Sequence, residues 1–260
     1  AKRELVQMVR REVLAEGVEI YCGDMLSILP TLGPVDHIIS DPPYEDELHA
    51  AVGKINRIRT DGRRVPDDLT FDGINASRSI IAAECVKASL GWLILFTLAE
   101  GVRAWRDDIQ AAGGKWDTCL AWVKPDASPR FNGQGAARGF ENAVTAWCGK
   151  GYRSWNSGGK RGVYTHLVNY QRQGEHPTEK PVPLMEELVL DFTKPGQLIC
   201  DPFAGSGTTG VAAVKCGRRF IGIEQNERWF DLTCKRIAAT LRQPSMFIAP
   251  PKPMKQEALL

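Results

Sequence analysis

Asp41-Pro42-Pro43-Tyr44 sets a carboxylate, backbone carbonyls and an aromatic ring within four consecutive residues. The adjacent prolines hold the chain extended and rigid, so these groups keep fixed relative directions. A carboxylate and the Pro42 carbonyl can each accept one hydrogen of an amine, and the Tyr44 ring can stack on a flat substrate. Such acceptors matter most for an amine conjugated to a ring, whose delocalised lone pair makes it a poor nucleophile. The tetrapeptide closes the run Val35-Asp36-His37-Ile38-Ile39-Ser40, which reads as a buried parallel strand. Open α/β sheets bind ligands at the carboxyl ends of such strands. The plainer reading is a strand and a tight turn.

A second motif turns that reading towards chemistry. Asp201-Pro202-Phe203-Ala204-Gly205-Ser206-Gly207-Thr208-Thr209-Gly210 follows the apolar run Gln197-Leu198-Ile199-Cys200 and precedes Val211-Ala212-Ala213-Val214. Strand, glycine turn and helix form the context of a nucleotide-binding loop. Glycines there let the backbone approach a ligand that a Cβ would occlude. A further strand, Arg219-Phe220-Ile221-Gly222-Ile223, ends in Glu224, 23 positions after Asp201. An acid about 20 residues beyond a glycine turn can accept hydrogen bonds from ribose hydroxyls. Alone, Gly205, Gly207 and Gly210 would suit a dinucleotide equally well.

Together, the two motifs resemble those of the beta-class DNA amino-methyltransferases, in which the catalytic tetrapeptide precedes the cofactor loop, a circularly permuted order. The resemblance runs from about Val18 to Arg242. His176-Pro177-Thr178-Glu179-Lys180-Pro181 looks like the family's motif ahead of that loop, and Ile20-Tyr21-Cys22-Gly23-Asp24 like the strand end whose acid meets adenine. It implies S-adenosyl-L-methionine as cofactor and catalysis by Asp41, Pro42, Pro43 and Tyr44. Carried over residue by residue, it assigns cofactor binding to Asp24, Asp41, His176, Thr178, Lys180, Asp201, Phe203, Gly205, Ser206, Gly207, Thr208 and Glu224.

The expected activity is methylation of an exocyclic amine on a flipped-out base of double-stranded DNA. Asp at the first motif position accompanies adenine N6 in the family, and cytosine N4 remains the alternative. A nicotinamide-dependent dehydrogenase also fits the glycines and Glu224, but leaves Asp41 to Tyr44 without a task. No cysteine follows a proline, which sets aside carbon-5 cytosine methylation, and the zinc deaminase signature is absent. The resemblance implies a homodimer and leaves open whether a restriction endonuclease accompanies the chain. The recognition sequence is not readable.

These residues need a frame to hold them. Strands are expected at 18–22, 35–40, 92–97, 116–123, 142–148, 197–201 and 219–224, and helices at 75–90, 100–112, 182–193, 207–216 and 226–242. Their alternation predicts a mostly parallel α/β sheet, here of seven strands, and the resemblance implies the Rossmann-like methyltransferase fold. The pair 116–123 and 142–148 has no helix between its members, so an antiparallel hairpin edge with a long excursion is expected. The 260 residues suit a single domain, with 45–74 and 124–175 as DNA-recognition insertions within it. No apolar run is long enough to span a membrane, and the amino end lacks a signal peptide's apolar core. Seven cysteines without a CxxC pair read as reduced and cytoplasmic, and four scattered histidines argue against a metal site.

The net charge of +2 is nearly balanced, so contact with DNA must come from local patches. Arg57, Arg59, Arg63 and Arg64 form one basic cluster; Arg153, Lys160, Arg161 and Arg172 form another, interleaved with Tyr152, Trp155, Tyr164 and Tyr170. Gly149, Gly151, Gly158, Gly159 and Gly162 suggest a flexible stretch, and 45–66 is expected to be mobile without DNA. His37 reads as a core histidine, and Trp92, Trp116, Trp122 and Trp147 read as core. Asp24 can cap the short helix after it as readily as meet adenine, and the two roles are compatible.

Overall fold

In the computed structural model, residues 9–43, 74–131, 133–168 and 179–243 are described. They contain nine strands: β1 (Arg10–Ala15), β2 (Val18–Cys22), β3 (His37–Ser40), β4 (Trp92–Thr97), β5 (Lys115–Val123), β6 (Phe140–Trp147), β7 (Val163–Thr165), β8 (Leu198–Asp201) and β9 (Arg219–Glu224). All lie in one sheet of order β1-β2-β9-β8-β3-β4-β6-β5-β7. Strands β2, β9, β8, β3 and β4 run parallel, whereas β6 is antiparallel to both β4 and β5. The fold is the expected Rossmann-like α/β arrangement.

Helices α1 (Met25–Ile28), α2 (Arg78–Ala88) and α3 (Val102–Ala111) cover one face, and α4 (Val182–Phe192), α5 (Thr208–Lys215) and α6 (Glu227–Leu241) cover the other. Strand residues alternate between the two cores. Ile38, Leu93, Leu95 and Cys200 pack with Met25, Ile81 and Trp105, while Ile39, Ile94, Phe96 and Ile199 pack with Leu188, Ala212 and Phe230. A strand buried on both faces has no polar side to show, which is why these segments read as unbroken apolar runs. Among the described residues no helix is long and apolar enough to cross a membrane.

Two strands were not legible. Edge strand β1 mixes charges with apolar residues and is fastened from outside, by Arg10 to Asp231 at 2.9 Å and by Arg11 to Glu19 at 2.7 Å. Edge strands tolerate such charges, which also discourage pairing with other chains. Strand β7 is three residues long and pairs with β5 beyond the hairpin, so the hairpin is not the edge. His37 is a satisfied core histidine: its Nδ1 accepts from Trp92 N at 2.9 Å and its Nε2 lies 3.0 Å from Gln197 Oε1. Gly149 is packed rather than flexible, since a Cβ there would stand 2.2 Å from the Leu90 carbonyl oxygen.

Candidate active site

Because β2, β9, β8 and β3 are parallel neighbours, their carboxyl ends form one edge. Asp24, Glu224, Asp201 and Asp41 all sit along it, although the chain separates them by up to 200 residues. The antiparallel β6 begins where β4 ends, with Asn142 opposite Thr97. Glu141 therefore joins the same edge.

Asp201 is buried and faces neutral donors. Its Oδ1 accepts from Ser40 Oγ at 2.6 Å and from Phe203 N at 3.0 Å. The first bond ties the start of the glycine turn to the residue preceding Asp41. Burial pushes the Asp201 carboxyl up to about 6. Glu224 behaves similarly: Oε2 accepts from Gly205 N at 2.8 Å and Oε1 from Asn226 N at 2.7 Å. Burial pushes it up to about 7, against these hydrogen bonds.

The glycines divide into two kinds. Gly207 has φ +81°, and a Cβ there would stand 2.8 Å from Thr233 Cγ2, so backbone shape and close approach both select glycine. Gly210 serves packing, because its Cβ would stand 2.4 Å from Ile237 Cδ1 and 2.6 Å from Phe220. The turn is also clamped from below. Glu179 Oε1 binds Arg236 Nη2 at 2.5 Å and accepts from Thr208 Oγ1 at 3.3 Å, while Arg236 Nη1 donates to the Ser206 carbonyl at 2.6 Å. In the sequence, Glu179 stands out only as a member of the motif around Lys180, and Arg236 not at all. The available signal was an arginine beside Thr233 and Ile237 on the inward face of α6.

Asp41 has different company. Lys180 Nζ donates to Asp41 Oδ2 at 2.5 Å, lies 3.4 Å from Glu141 Oε2 and sits 5.0 Å from the centre of the Phe96 ring. Glu141 Oε1 is in turn paired with Lys124, whose Nζ lies over the Trp122 ring. Lys180, expected among the cofactor residues, is thus bound to the motif carboxylate. Asp24 caps α1, its Oδ2 accepting from Ser27 N at 3.1 Å and Ser27 Oγ at 2.9 Å. Phe203 is half-buried at the glycine turn, against the core beside α1. Tyr44, Arg57, Arg59, Arg63, Arg64, Tyr170, Arg172, His176 and Thr178, with the 45–66 stretch, lie outside the described residues.

In the second basic cluster, two of the four cations have acidic partners within the chain. Lys160 pairs with Glu187 at 2.7 Å and with Asp191, both on α4. Arg153 pairs with Asp117 and donates to the Trp116 carbonyl at 3.1 Å. Their charges are matched within the chain. Tyr164 is buried with its hydroxyl on Asp191 at 2.8 Å, and Trp155 packs on Phe192 with centroids 4.9 Å apart. Those two aromatics fasten the segment to α4. Arg161 is exposed and has no ion-pair partner among the described residues, and Tyr152 stands clear of the surface.

A family model described as DNA methylase, covering N6 and N4 enzymes, matches residues 141–235. Putative methylase YubD of Escherichia coli (strain K12) is 30% identical over 229 residues, 85% of this chain and 90% of its own. Type II methyltransferase M2.DpnII of Streptococcus pneumoniae is 52% identical over 66 residues, 25% of either chain, so this chain matches about a quarter of that relative's length. The crystal structure of the M1.HpyAVI–SAM complex superposes with a TM-score of 0.66 at 24% identity, covering 84% of this chain and 98% of that one, a likeness of fold.

Proposed function

The chain belongs to the DNA amino-methyltransferases, the DNA methylases of N6 and N4, and from that premise we propose that it methylates N6 of adenine in double-stranded DNA, using S-adenosylmethionine. The observation that carries this reading is the Ser40–Asp201 hydrogen bond, which sets the Asp41 motif beside the glycine turn at one sheet edge.

The residues present fit this cofactor. A carboxylate has about four acceptor directions. Glu224 gives some of its own to the backbone N–H groups of Gly205, Gln225 and Asn226, leaving capacity for ribose hydroxyls. The similar M1.HpyAVI structure was obtained as a SAM complex. When bound, S-adenosylmethionine supplies a methyl carbon on a sulfonium, whose electron pair returns to sulfur as the nitrogen–carbon bond forms.

The chain's own part is to prepare the amine. Asp41 accepts one N–H of the flipped base and the Pro42 carbonyl accepts the other, which localises the lone pair on nitrogen. Asp41 then takes up the proton that the methylated nitrogen releases, so charge and atoms balance. Tyr44 stacks on the base. With the methyl already activated, positioning supplies most of the acceleration.

Adenine is favoured over cytosine N4 by Asp at the first motif position. The dehydrogenase alternative falls with the family assignment. Contacts to phosphate are assigned to Arg57, Arg59, Arg63, Arg64, Arg153, Lys160, Arg161 and Arg172, with the ion pairs of Arg153 and Lys160 also holding the segment's shape. A homodimer is part of the reading; sedimentation showing only a 28.7 kDa species at micromolar concentration would remove it. The deciding experiment incubates the chain with methyl-labelled S-adenosylmethionine and unmethylated duplex DNA, then analyses nucleosides by mass spectrometry. Labelled N6-methyladenine is expected. N4-methylcytosine would change the base, and no labelled nucleoside would overturn the reading.

A further inference from the structure

We propose that Lys180, held in place by Glu141, is the positioning residue for Asp41 rather than a cofactor ligand. This role rests on the methyltransferase reading above. The geometry on which it stands is a buried ammonium between two carboxylates: 2.5 Å to Asp41 and 3.4 Å to Glu141, with the Lys180 side chain only 5% exposed.

A carboxylate at the end of an extended Asp-Pro-Pro segment can still turn about its own side-chain bonds. Freezing it requires a partner bound to one oxygen, and Lys180 Nζ binds Oδ2. Each carboxylate oxygen offers more than one acceptor direction, so an Asp41 held this way can still receive the amine's N–H. The ammonium also keeps a negative charge tolerable there once a stacked base excludes water, since a buried ion without a counter-ion is strongly disfavoured.

Lys180 in turn has to be held. A lysine stem is flexible, and its neighbours restrict it from separate elements: Glu141 from the start of β6 and the Phe96 ring from β4. Glu141 is itself paired with Lys124 at the end of β5. Lys124 and Glu141 bracket the excursion between the hairpin strands, and Lys124 N closes it by donating to the Gly139 carbonyl at 2.8 Å. The orientation of Asp41 is thus referred to the base of that excursion through two ion pairs. None of these three partners lies on the glycine turn, which is why the effect should fall on turnover and not on cofactor affinity.

The test compares Lys180→Met, Glu141→Gln and the double variant for turnover on duplex DNA and for affinity towards S-adenosylhomocysteine by calorimetry. Lys180→Met should lower kcat about a hundredfold, as expected when a reacting group is misplaced, with S-adenosylhomocysteine affinity within about twofold of wild type. Glu141→Gln, which leaves Lys180 in place, should lower kcat roughly tenfold, and the double variant should be no worse than Lys180→Met alone. Should Lys180→Met fail to fold, Glu141→Gln still decides: wild-type kcat in that variant overturns the role. Weakened S-adenosylhomocysteine binding with kcat retained would return Lys180 to the cofactor. Additive losses in the double variant would separate Glu141 from Lys180. Wild-type chain that methylates no DNA would overturn the methyltransferase reading, and this role with it.

Discussion

The acids that end β8 and β9 and the acid that follows β3 stand on one sheet edge, yet the fold treats them oppositely. Asp201 and Glu224 receive hydrogen bonds from hydroxyl and backbone N–H donors, and burial raises both. Asp41 receives an ammonium at 2.5 Å. Neutral donors leave a carboxylate poised to take hydroxyls from a ligand, at the cost of an easier protonation. The ammonium fixes the direction of the Asp41 carboxylate, which in the proposed mechanism accepts an amine's hydrogen. In the proposed function, one region holds the cofactor and the other orients the reacting amine.

The most direct attempt to break that contrast is Asp41→Ala. Methylation should fall by about a hundred- to a thousandfold, the usual cost of losing one preorganised polar contact to the reacting group. Cofactor affinity should hardly move. A variant retaining more than a tenth of wild-type turnover would remove Asp41 from the chemistry.

Glu224→Ala is the converse. Loss of a charged acceptor should weaken S-adenosylmethionine binding by roughly 1.5–3 kcal/mol for each ribose hydroxyl, read by calorimetry. Unchanged affinity would mean that Glu224 only braces the glycine turn. Gly210→Ala separates packing from ligand approach within that turn. Its Cβ would stand 2.4 Å from Ile237, so stability should drop by about 1–3 kcal/mol through overpacking, while the folded fraction keeps its cofactor affinity.

The smallest effect is a slope. Glu224 titrates at about 7 in the fold against an ordinary 4.5. Between those values the unfolded chain has lost a proton that the folded chain retains. Glu224 therefore takes stability away as pH rises across that window, and the loss is complete above about 7. Asp201 acts in the same direction from 3.8 to about 6. Glu224→Gln should flatten the fall, by an amount on the order of 2–3 kcal/mol between pH 4.5 and 7.5. Denaturant melts of both proteins at the two pH values measure it, and parallel curves would place Glu224 in water.

Much of this was legible because local chemistry forced it. Pro42 and Pro43 can only extend the chain, unbroken apolar runs such as Trp92-Leu93-Ile94-Leu95-Phe96 can only lie inside a two-faced sheet, and Gly207 marks a turn with positive φ. What stayed hidden was set by partners. Strand β1 shows little pattern of its own because its charges are satisfied on α6 and β2. Lys160 and Arg153 looked like free cations because Asp191, Glu187 and Asp117 are distant in the chain.

The amino-acid sequence alone determined the motifs, their order, the alternation of strands and helices, and hence the α/β class and the family. The class follows from periodicity and backbone stereochemistry, which act over a few residues, and the family from the resemblance of the motifs. Only the tertiary structure decided that Lys180 belongs to Asp41, that Glu141 steadies it, and that Arg236 clamps the glycine turn through Glu179. Ion pairs join residues that adjacent strands and facing helices bring within about 4 Å, and no spacing along the chain encodes that distance.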